Sequence, residues 1–283
     1  MTTQYMKKTI VTHLSPDLDA IASVWLIKKY LPDWNDAQIK LVPAGTTFDD
    51  QLPDSDKNII HVDTGLGKFD HHQTNEYTSA TKLVFRYLSG RDLIEENDIK
   101  AIEKIVEYVN STDHFAEVFY PEPDADRYDL TIRQLIDGLK VSAREETKLI
   151  ETVFQLLEAA LIVFKNKVKA DDEIKSGFVF KSYLGRSLAI ESRNEEAVKL
   201  ALKKGFALVI RRHPEVGFTR IKTLPDKKYS LKPIYEKILI KDKKGSWFFH
   251  ISEHMLLNGS SGNPKLIPTT LSLNKIIEII KSV

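Results

Sequence analysis

The residues best suited to chemistry in this 283-residue chain are histidines and aspartates clustered in its first half. His13, Asp17 and Asp19 follow a β-branched segment, 9–12, that predicts a strand. Ligands of a parallel sheet bind beyond the carboxyl ends of its strands, so this cluster brings an imidazole and two carboxylates to such an edge. Asp17 and Asp19 diverge and suit two different metal ions. The alternative is that Asp17 only caps the following helix and that His13 only ends the strand.

Two further clusters continue this pattern. His61 and Asp63 share one face of the next strand-like segment, and we expect Asp63 to bridge two cations while His61 packs beside the site. In the run Asp70-His71-His72, one histidine would bind a metal and the other would meet the substrate, with the aspartate fixing a ring tautomer. Adjacent histidines are uncommon in a chain that holds only eight, so we expect this run to join the same site.

A fourth candidate, Asp113, follows an amphipathic helix predicted at 98–109, although an exposed polar loop is the alternative. The metal-ligand candidates are then two imidazoles and four carboxylates: His13, Asp17, Asp19, Asp63, His71 and Asp113. Two divalent cations need roughly this supply of ligands, and oxygen-rich sets with some imidazole favour Mn²⁺ or Mg²⁺. A mononuclear zinc site with three ligands is the alternative, and it would leave several aspartates without a role.

The second half of the chain differs in charge from the first. Residues 1–170 hold 20 Lys and Arg against 28 Asp and Glu, a net charge of −8, while residues 171–283 hold 21 against 12, a net charge of +9. This asymmetry indicates two modules, and a basic surface attracts phosphates, unless both charge sets are simply solvated. Six residues here are candidates for substrate binding: Arg211, Arg212, His213, His250, Ser260 and Ser261. The two arginines follow the strand-like segment 206–210 and could clamp phosphate oxygens, His250 lies in a predicted strand, and the Gly/Ser turn at 258–263 could bind an anion through its N–H groups. The alternatives are a solvated arginine pair, a packed core histidine and a surface loop.

The predicted elements place these residues in two domains. Strands at 9–12, 39–42 and 58–63 alternate with helices at 17–31, 79–88 and 98–109, which predicts an α/β fold with a parallel sheet and helices on both faces. A long helix at 142–169 would link this part to a smaller α+β domain. We therefore predict a metal-binding catalytic domain at 1–165 and a basic α+β substrate-binding domain at 171–283.

The clusters resemble motifs of the DHH phosphoesterase superfamily, which includes manganese-dependent family II inorganic pyrophosphatases, single-strand exonucleases and small-oligonucleotide phosphodiesterases. The superfamily's first motif, His-x-Asn-Pro-Asp-x-Asp-x-Ile, is similar to residues 13–21, with Ser15 in place of Asn. Its strand-end aspartate is similar to Asp63, and the run that names the group matches residues 70–72. The longer run Phe-Asp-His-His-Gln at 69–73 is also similar to a related family of DHH-Q metal-dependent hydrolases with exonuclease members.

The resemblance implies a role for each cluster. It implies that five residues bind two metals, with Asp63 bridging: His13, Asp17, Asp19, Asp63 and His71. A later aspartate completes the superfamily's set, and Asp113 stands in the right order for it. His72 would contact the phosphate, with Asp70 beside it in the catalytic pair. The Gly-Gly-rich histidine motif found in the second domain of many members has no match here, so the resemblance implies the reaction type more than the substrate.

The sequence as a whole predicts a metal-dependent hydrolase of a phosphoester or phosphoanhydride, acting on a phosphorylated small molecule or short single-stranded nucleic acid. A non-catalytic nucleotide- or RNA-binding protein and a mononuclear zinc hydrolase of non-phosphate substrates are the alternatives. The absence of cysteine excludes a thiol nucleophile and a Cys-ligated zinc site. No secretory signal or membrane span is visible, so we expect a cytoplasmic protein without a membrane partner, with a homodimer left open.

Overall fold

The computed structural model describes residues 7–142, 145–260, 262–263 and 265–283. The chain divides into two compact units, Met1–Lys165 and Asn166–Val283, and each has hydrophobic clusters of its own. All candidate metal ligands belong to the first unit and all candidate substrate-binding residues to the second. Within the described ranges, no helix is long and apolar enough to cross a membrane.

The first unit is built on a parallel sheet in the order β2-β1-β3. Its strands are Thr9–His13 (β1), Gln38–Val42 (β2) and Ile59–His61 (β3). The central strand β1 is buried along its first four residues, as expected of a strand covered on both faces. β3 pairs with β1 in parallel, so the carboxyl ends of the two strands lie side by side. This register brings the first two sequence clusters to the same sheet edge.

The helices that begin in the first unit are Leu18–Tyr30 (α1), Ala80–Ser89 (α2), Glu96–Asp113 (α3), Ile132–Ser142 (α4) and Glu146–Ser176 (α5). The predicted α2 is confirmed, because Ser79 caps it by accepting the Lys82 N–H at 3.3 Å and the helix ends before Gly90. The prediction for α3 stopped too early, since the helix continues to Asp113. Asp113 therefore lies in the last helical turn, and the alternative of an exposed polar loop is wrong.

The second unit is a mixed sheet in the order β4-β5-β6-β7-β9-β8, in which only β5 and β6 pair in parallel. Its strands are Phe178–Ser182 (β4), Gly185–Glu191 (β5), Leu208–Arg212 (β6), Thr219–Thr223 (β7), Trp247–Phe249 (β8) and Met255–Asn258 (β9). Helix Glu196–Lys203 (α6) packs on one face, and helices Lys232–Lys241 (α7) and Leu273–Lys281 (α8) pack on the other.

The predicted fold class, a parallel α/β part with a smaller α+β part, is confirmed. Several boundaries differ from the prediction. The helix predicted at 142–169 is the single helix α5, which starts at Glu146 and continues to Ser176, and the sequence did not predict α4 before it. Strand β9 occupies the residues before the predicted turn at Asn258, and β8 ends at Phe249, so His250 follows the strand rather than lying in it. Helix α7 has only Ile234 and Ile238 buried, too weak a pattern to predict it.

Candidate metal centre

The connection from β1 to α1 supplies the first two candidate ligands. His13 ends β1, and its Nδ1 lies 2.9 Å from the Leu14 carbonyl oxygen, which assigns the ring proton to Nδ1 and turns Nε2 toward Asp63. Asp17 caps α1, and its Oδ1 accepts the Ala20 N–H at 3.0 Å. One oxygen of Asp17 thus serves the helix while the other stays available for a cation. The Asp17 side chain can therefore cap the helix and bind a cation at the same time.

Asp63 lies at the centre of the site, two residues beyond β3, so the prediction that it shares a strand face with His61 is wrong. The Val62 N–H donates to the Val11 carbonyl oxygen and extends the sheet ladder to this point. Asp63 itself has a left-handed backbone with φ of +53°, which aspartate tolerates better than most residues, and its N–H donates to the Phe69 carbonyl oxygen at 2.9 Å. The chain therefore folds back here, with the Asp63 carboxylate buried beside the carboxyl end of β1.

The candidate ligands converge on this carboxylate. His13 Nε2 lies 3.3 Å from Asp63 Oδ2, and His71 Nε2 lies 3.4 Å from Asp63 Oδ1. His71 Nε2 is also 3.6 Å from Asp113 Oδ2 and 3.8 Å from Asp19 Oδ2. The six candidate ligands make up two of the three groups whose ligand atoms all lie within 4.8 Å of one another: His13, Asp17 and Asp63, and Asp19, His71 and Asp113. The structure thus brings together all six residues that the sequence singled out as metal ligands.

The N-terminus of α2 holds Asp19 in place. Asp19 Oδ2 accepts the Ala80 N–H at 2.7 Å, and Oδ1 accepts the Thr81 N–H at 2.8 Å. The Thr81 hydroxyl in turn donates to the Asp19 carbonyl oxygen at 2.9 Å. These N–H groups belong to the positive end of the helix dipole, which stabilises a carboxylate. Asp19 is therefore fixed both by its own helix and by the helix that follows the Asp-His-His run.

Asp70 positions His72 rather than His71. Asp70 Oδ1 lies 2.7 Å from His72 Nδ1 and accepts the His72 N–H at 3.0 Å, while Oδ2 accepts the Leu66 N–H at 2.7 Å. Asp63, His71 and His72 also lie close enough to form a ligand group. However, a His72 Nδ1 that shares its proton with Asp70 has no lone pair for a cation. The His72 side chain is 60% exposed against 15% for His71, so its Nε2 is the atom left to meet a substrate.

The charges around Asp63 shift its pKa and those of its neighbours. The Asp63 carboxylate raises the pKa of His13, which hydrogen-bonds to its Oδ2, to about 9, and it raises the pKa of His71, whose Nε2 lies 3.4 Å from its Oδ1, to about 9. Burial raises the pKa of Asp63, but the interactions with His13 and His71 outweigh it and lower the pKa to about 2. Burial and the charges of Asp63 and Asp113 raise the pKa of Asp19 to about 7. Without a cation, ring protons thus supply the positive charge that this acidic cluster requires.

The donor set fits divalent cations. Asp63 Oδ1 is buried and has no hydrogen-bond partner among the described residues, although buried carboxylate oxygens ordinarily have one. The two groups combine four carboxylates with two imidazoles, and the chain has no cysteine. Such a hard, oxygen-rich set suits Mn²⁺ or Mg²⁺ better than it suits soft-ligand metals. Cations between the histidines and Asp63 would take the place of the two ring protons.

His61 supports the site from behind, as expected. Its Nε2 accepts the Phe48 N–H at 3.1 Å, and neither of the two ligand groups includes it. Burial lowers the pKa of this histidine, which keeps its ring neutral. His61 ends β3, two residues before Asp63, and its hydrogen bond holds the loop around Phe48 in place.

Three residues near the centre were not predicted to take part. His114 Nδ1 lies 3.6 Å from Asp113 Oδ2, and Asn110, one turn earlier on α3, is buried with both amide atoms unpartnered among the described residues. Both belong to the polar segment 110–114 that contains the predicted ligand Asp113, so the sequence could have pointed to them. Glu146 Oε1 accepts the Ser15 N–H at 2.5 Å and holds the β1–α1 turn. That contact joins distant parts of the sequence, so no local pattern pointed to it.

The candidate substrate-binding arginines lie on opposite faces of the second unit's sheet. Arg211 and Arg212 lie within β6 rather than after it, and successive strand residues point to opposite faces. Arg211 donates from Nη1 to the Ser192 carbonyl oxygen at 2.9 Å, on the face that α6 covers. Arg212 donates from Nε to the Leu271 carbonyl oxygen at 3.3 Å, on the other face. The two side chains therefore do not form the clamp on one anion that the sequence predicted.

The other candidates of the second unit also separate. Arg211, His213 and Ser260 line one pocket of about 330 Å³. His250 does not line this pocket, and its Nδ1 lies 2.8 Å from the Ser252 hydroxyl instead. Ser261 lies outside the described residues. Three of the six predicted substrate-binding residues thus line the same pocket.

No protein-family model and no curated protein matches this sequence. A solved structure described as the DHH domain of a member of a family of ribosomal proteins is similar at 12% identity and a TM-score of 0.31, with 98% of this chain and 86% of that chain covered. RecJ in complex with Mg²⁺ from Thermus thermophilus is similar at 8% identity and a TM-score of 0.33, with 97% of this chain and 49% of that chain covered. The first description names the superfamily that the motifs resemble. At these scores the likeness says nothing about activity, which has to be inferred from the geometry around Asp63.

Proposed function

We propose that this chain is a metal-dependent phosphoesterase that hydrolyses a phosphoester or phosphoanhydride of a nucleotide or short oligonucleotide. In this proposal, residues 1–165 bind two Mn²⁺ or Mg²⁺ ions and carry the chemistry, and residues 171–283 bind the substrate. The observation that supports it best is that six ligand residues from four segments of the chain meet around the buried Asp63 and its neighbour His71. Acidic groups this close together are unfavourable unless protons or cations lie between them.

Each ligand group has its own task in this proposal. His13, Asp17 and Asp63 would hold one cation, and Asp19, His71 and Asp113 would hold the other, while Asp63 lies next to the second group through its contact with His71. When bound, such a pair polarises a phosphoryl oxygen and lowers the pKa of the attacking water. The Leu14 carbonyl oxygen keeps the proton of His13 on Nδ1, which leaves Nε2 free to bind. The α2 N-terminus holds the Asp19 carboxylate in a fixed orientation.

His72 is the residue that we propose to contact the substrate. In the doubly protonated ring, Nδ1–H donates to Asp70 and the exposed Nε2–H donates to a non-bridging phosphoryl oxygen, where it stabilises the charge that grows during attack. Asp70 acts through His72, because its carboxylate fixes the ring through Nδ1 and is itself held by the Leu66 N–H. Asp70, predicted as half of a catalytic pair, is therefore a positioning residue in this proposal.

The test is a panel of phosphomonoesters, phosphodiesters, pyrophosphate and short single-stranded oligonucleotides, with the full chain stripped by EDTA and reloaded with Mn²⁺. Wild type is compared with Asp63→Asn, His71→Ala and the matched control Asp33→Asn. Asp33 is exposed and shares the left-handed backbone of Asp63, with φ of +64°, so the control carries the same chemical change at a comparable conformation. We expect the two ligand variants to lose activity by about 100-fold or more and the control to match wild type.

The outcomes separate the three interpretations of the sequence. Metal-dependent hydrolysis that is equal in wild type and Asp63→Asn contradicts the proposal. Two metal ions per chain without turnover of any substrate, together with nucleotide or RNA binding that weakens steeply with salt, identifies a non-catalytic binding protein. One zinc ion per chain with turnover of a non-phosphate substrate identifies a mononuclear hydrolase.

A further inference from the structure

A pocket in the second unit gathers positive charge from separate elements of the fold. Its charged and polar lining comes from the loop before α6, from strands β6 and β7, and from the loops after β6 and β9: Arg193, Glu195, Arg211, His213, Arg220 and Ser260. The lining residues of this pocket of about 330 Å³ are three arginines and one glutamate, a charge of +2, and Arg193 is also paired with Glu215 outside the lining. A concave surface with this excess of guanidinium groups attracts anions.

The sheet register places two of these arginines directly opposite each other. Arg211 and Arg220 are partners in the antiparallel β6–β7 ladder, so both project from the same face. Like charges directly opposite across two strands are destabilising. Lys222 lies on the same face two residues further along β7, which adds a third positive charge. This face therefore holds more positive charge than its own carboxylate offsets, and a bound anion would relieve the repulsion.

The pKa shifts of the basic residues on this face agree with an excess of positive charge there. Burial lowers the pKa of Arg211, with attraction from Glu195 opposing the shift and repulsion from Arg220 adding to it. Burial, followed by the charge of Arg220, also lowers the pKa of Lys222. Arg211 Nε is in addition buried without a hydrogen-bond partner among the described residues.

Glu195 marks the position that an anion would occupy. Its Oε2 lies 2.5 Å from Arg220 Nη1, and its Oε1 lies 3.4 Å from Arg211 Nη2. The Glu195 side chain is 52% exposed, so it can rotate into solvent when another anion takes its place beside the buried Arg211. Arg211 is only 3% exposed and is tied to the Ser192 carbonyl oxygen, so it stays in place. A phosphate offers the same two guanidinium groups more oxygens and more charge than a carboxylate does.

The wall of the pocket depends on one glycine. Gly259 follows β9 with φ of +73°, and a Cβ at this position would lie 2.0 Å from the ring of Phe218, which also lines the pocket. Only glycine permits this close approach, which places Ser260 at the pocket. The concave surface is thus a specific product of the sequence rather than a gap between loops.

We propose that this pocket binds the phosphate group of a small phosphorylated molecule, with Arg211 and Arg220 as its main contacts and Glu195 turned aside. The inference rests on the proposed function in one respect: we take the phosphate to belong to the substrate that the metal centre hydrolyses. A separate phosphorylated ligand has the same chemistry, and the test distinguishes the two. The site itself requires no metal.

The test is calorimetric titration of the full chain in EDTA with inorganic phosphate and with a nucleoside monophosphate. EDTA keeps the anion from binding through cations at the metal centre. We expect Arg220→Gln to weaken phosphate binding about tenfold or more and Glu195→Gln, which removes the competing charge, to tighten it. The matched control is Arg186→Gln, because Arg186 is an exposed arginine of β5 that does not line the pocket. This control should bind phosphate as wild type does.

Absence of phosphate binding in wild type, or equal binding in wild type and Arg220→Gln, overturns the proposal. Weaker binding in Glu195→Gln also overturns it, and since that variant is expected to gain affinity, a folding defect cannot mimic support. A raised KM with unchanged kcat in Arg220→Gln identifies the substrate's own phosphate as the ligand, while an unchanged KM identifies a separate one. Phosphate binding without hydrolysis in any variant contradicts the proposed function and supports this site.

Discussion

Asp63 draws His13 and His71 into contact with its carboxylate and raises the pKa of each from 6.5 to about 9. A group whose pKa is raised by folding stabilises the folded chain fully below its unfolded pKa, and this stabilisation is lost as the pH rises through its folded pKa. We therefore expect the free energy of unfolding of the metal-free protein to fall between pH 6.5 and about pH 9. The fall should be about 2 kcal/mol, less than two independent shifts would give, because one carboxylate serves both rings.

Urea denaturation in EDTA across this pH window measures the effect. His13→Gln should remove part of the slope, and Asp33→Asn should leave it unchanged. With Mn²⁺ present the trend should reverse, because deprotonated rings bind the metal more tightly. A free energy of unfolding that stays constant or rises across the window without metal would contradict the contacts assigned to Asp63.

The two adjacent histidines should separate metal binding from chemistry. His71 Nε2 lies within 3.8 Å of three aspartates, whereas His72 is exposed and bound through Nδ1 to Asp70. We expect His71→Gln to lower Mn²⁺ affinity by about 100-fold. His72→Gln should keep Mn²⁺ affinity within about twofold and lower kcat by about 100-fold. Calorimetry with Mn²⁺ measures the affinity, and steady-state kinetics on the same preparations measure kcat. An equal loss of Mn²⁺ affinity in the two variants would contradict the assignment of metal binding to His71 and of substrate contact to His72.

Among the helices, α2 depends on the metal centre for its start. Its Ala80 and Thr81 N–H groups have Asp19 as their acceptor, while Asp113 accepts no helix-capping hydrogen bond among the described residues. We expect Asp19→Ala to lower the free energy of unfolding of the metal-free protein by about 2 kcal/mol, since two buried N–H groups lose their partner. Asp113→Ala should cost less than about 1 kcal/mol, because burial already raises the pKa of that carboxyl and no helix start depends on it.

Urea denaturation in EDTA compares the two variants, and amide exchange in the first turn of α2 locates the loss. Both variants should weaken Mn²⁺ binding to a similar degree, so the comparison isolates the helix anchor from the ligand role. Equal destabilisation of the metal-free protein by Asp19→Ala and Asp113→Ala would show that α2 starts without help from Asp19.

The elements that the sequence predicted well are those whose signal is local. β1 and α2 follow from a β-branched run and from the Ser79 and Gly90 boundaries, and they bring three of the four clusters together. The end of α3 was placed too early, because residues 110–113 are poor helix formers that are held by tertiary burial. Arg212 was misplaced for a related reason. Ending β6 before Arg211 hid the alternation that sends neighbouring side chains to opposite faces.

Across the whole molecule, the division of charge corresponds to two sites with opposite preference. Four carboxylates of the acidic part form the ligand groups around Asp63 and His71, and two guanidinium groups of the basic part contact Glu195. The sequence predicted the charge asymmetry, but it did not predict Glu195 or Arg220. Glu195 stands between Asn194 and Glu196 in the sequence, so no local pattern points to it until the strand register shows which arginines it contacts.

A cation and an anion should therefore stabilise different parts of the same chain. A ligand present at about 100 times its Kd stabilises the folded form that binds it by about 2.7 kcal/mol. We expect Mn²⁺ to slow amide hydrogen exchange in β1, β3 and the start of α2, and phosphate in EDTA to slow exchange in β6 and β7. Mass spectrometry of peptides from the full chain measures both effects in one experiment.

Single substitutions should remove these two effects one at a time. Asp63→Asn should abolish the protection by Mn²⁺ and keep the protection by phosphate, and Arg220→Gln should do the reverse. Each variant thus serves as the control for the other, because a general loss of stability would reduce both effects together. Protection of β1 and β3 by phosphate in EDTA, or of β6 and β7 by Mn²⁺, would mean that the ligands share one site, and the assignment of the phosphate to the β6–β7 face would then be wrong.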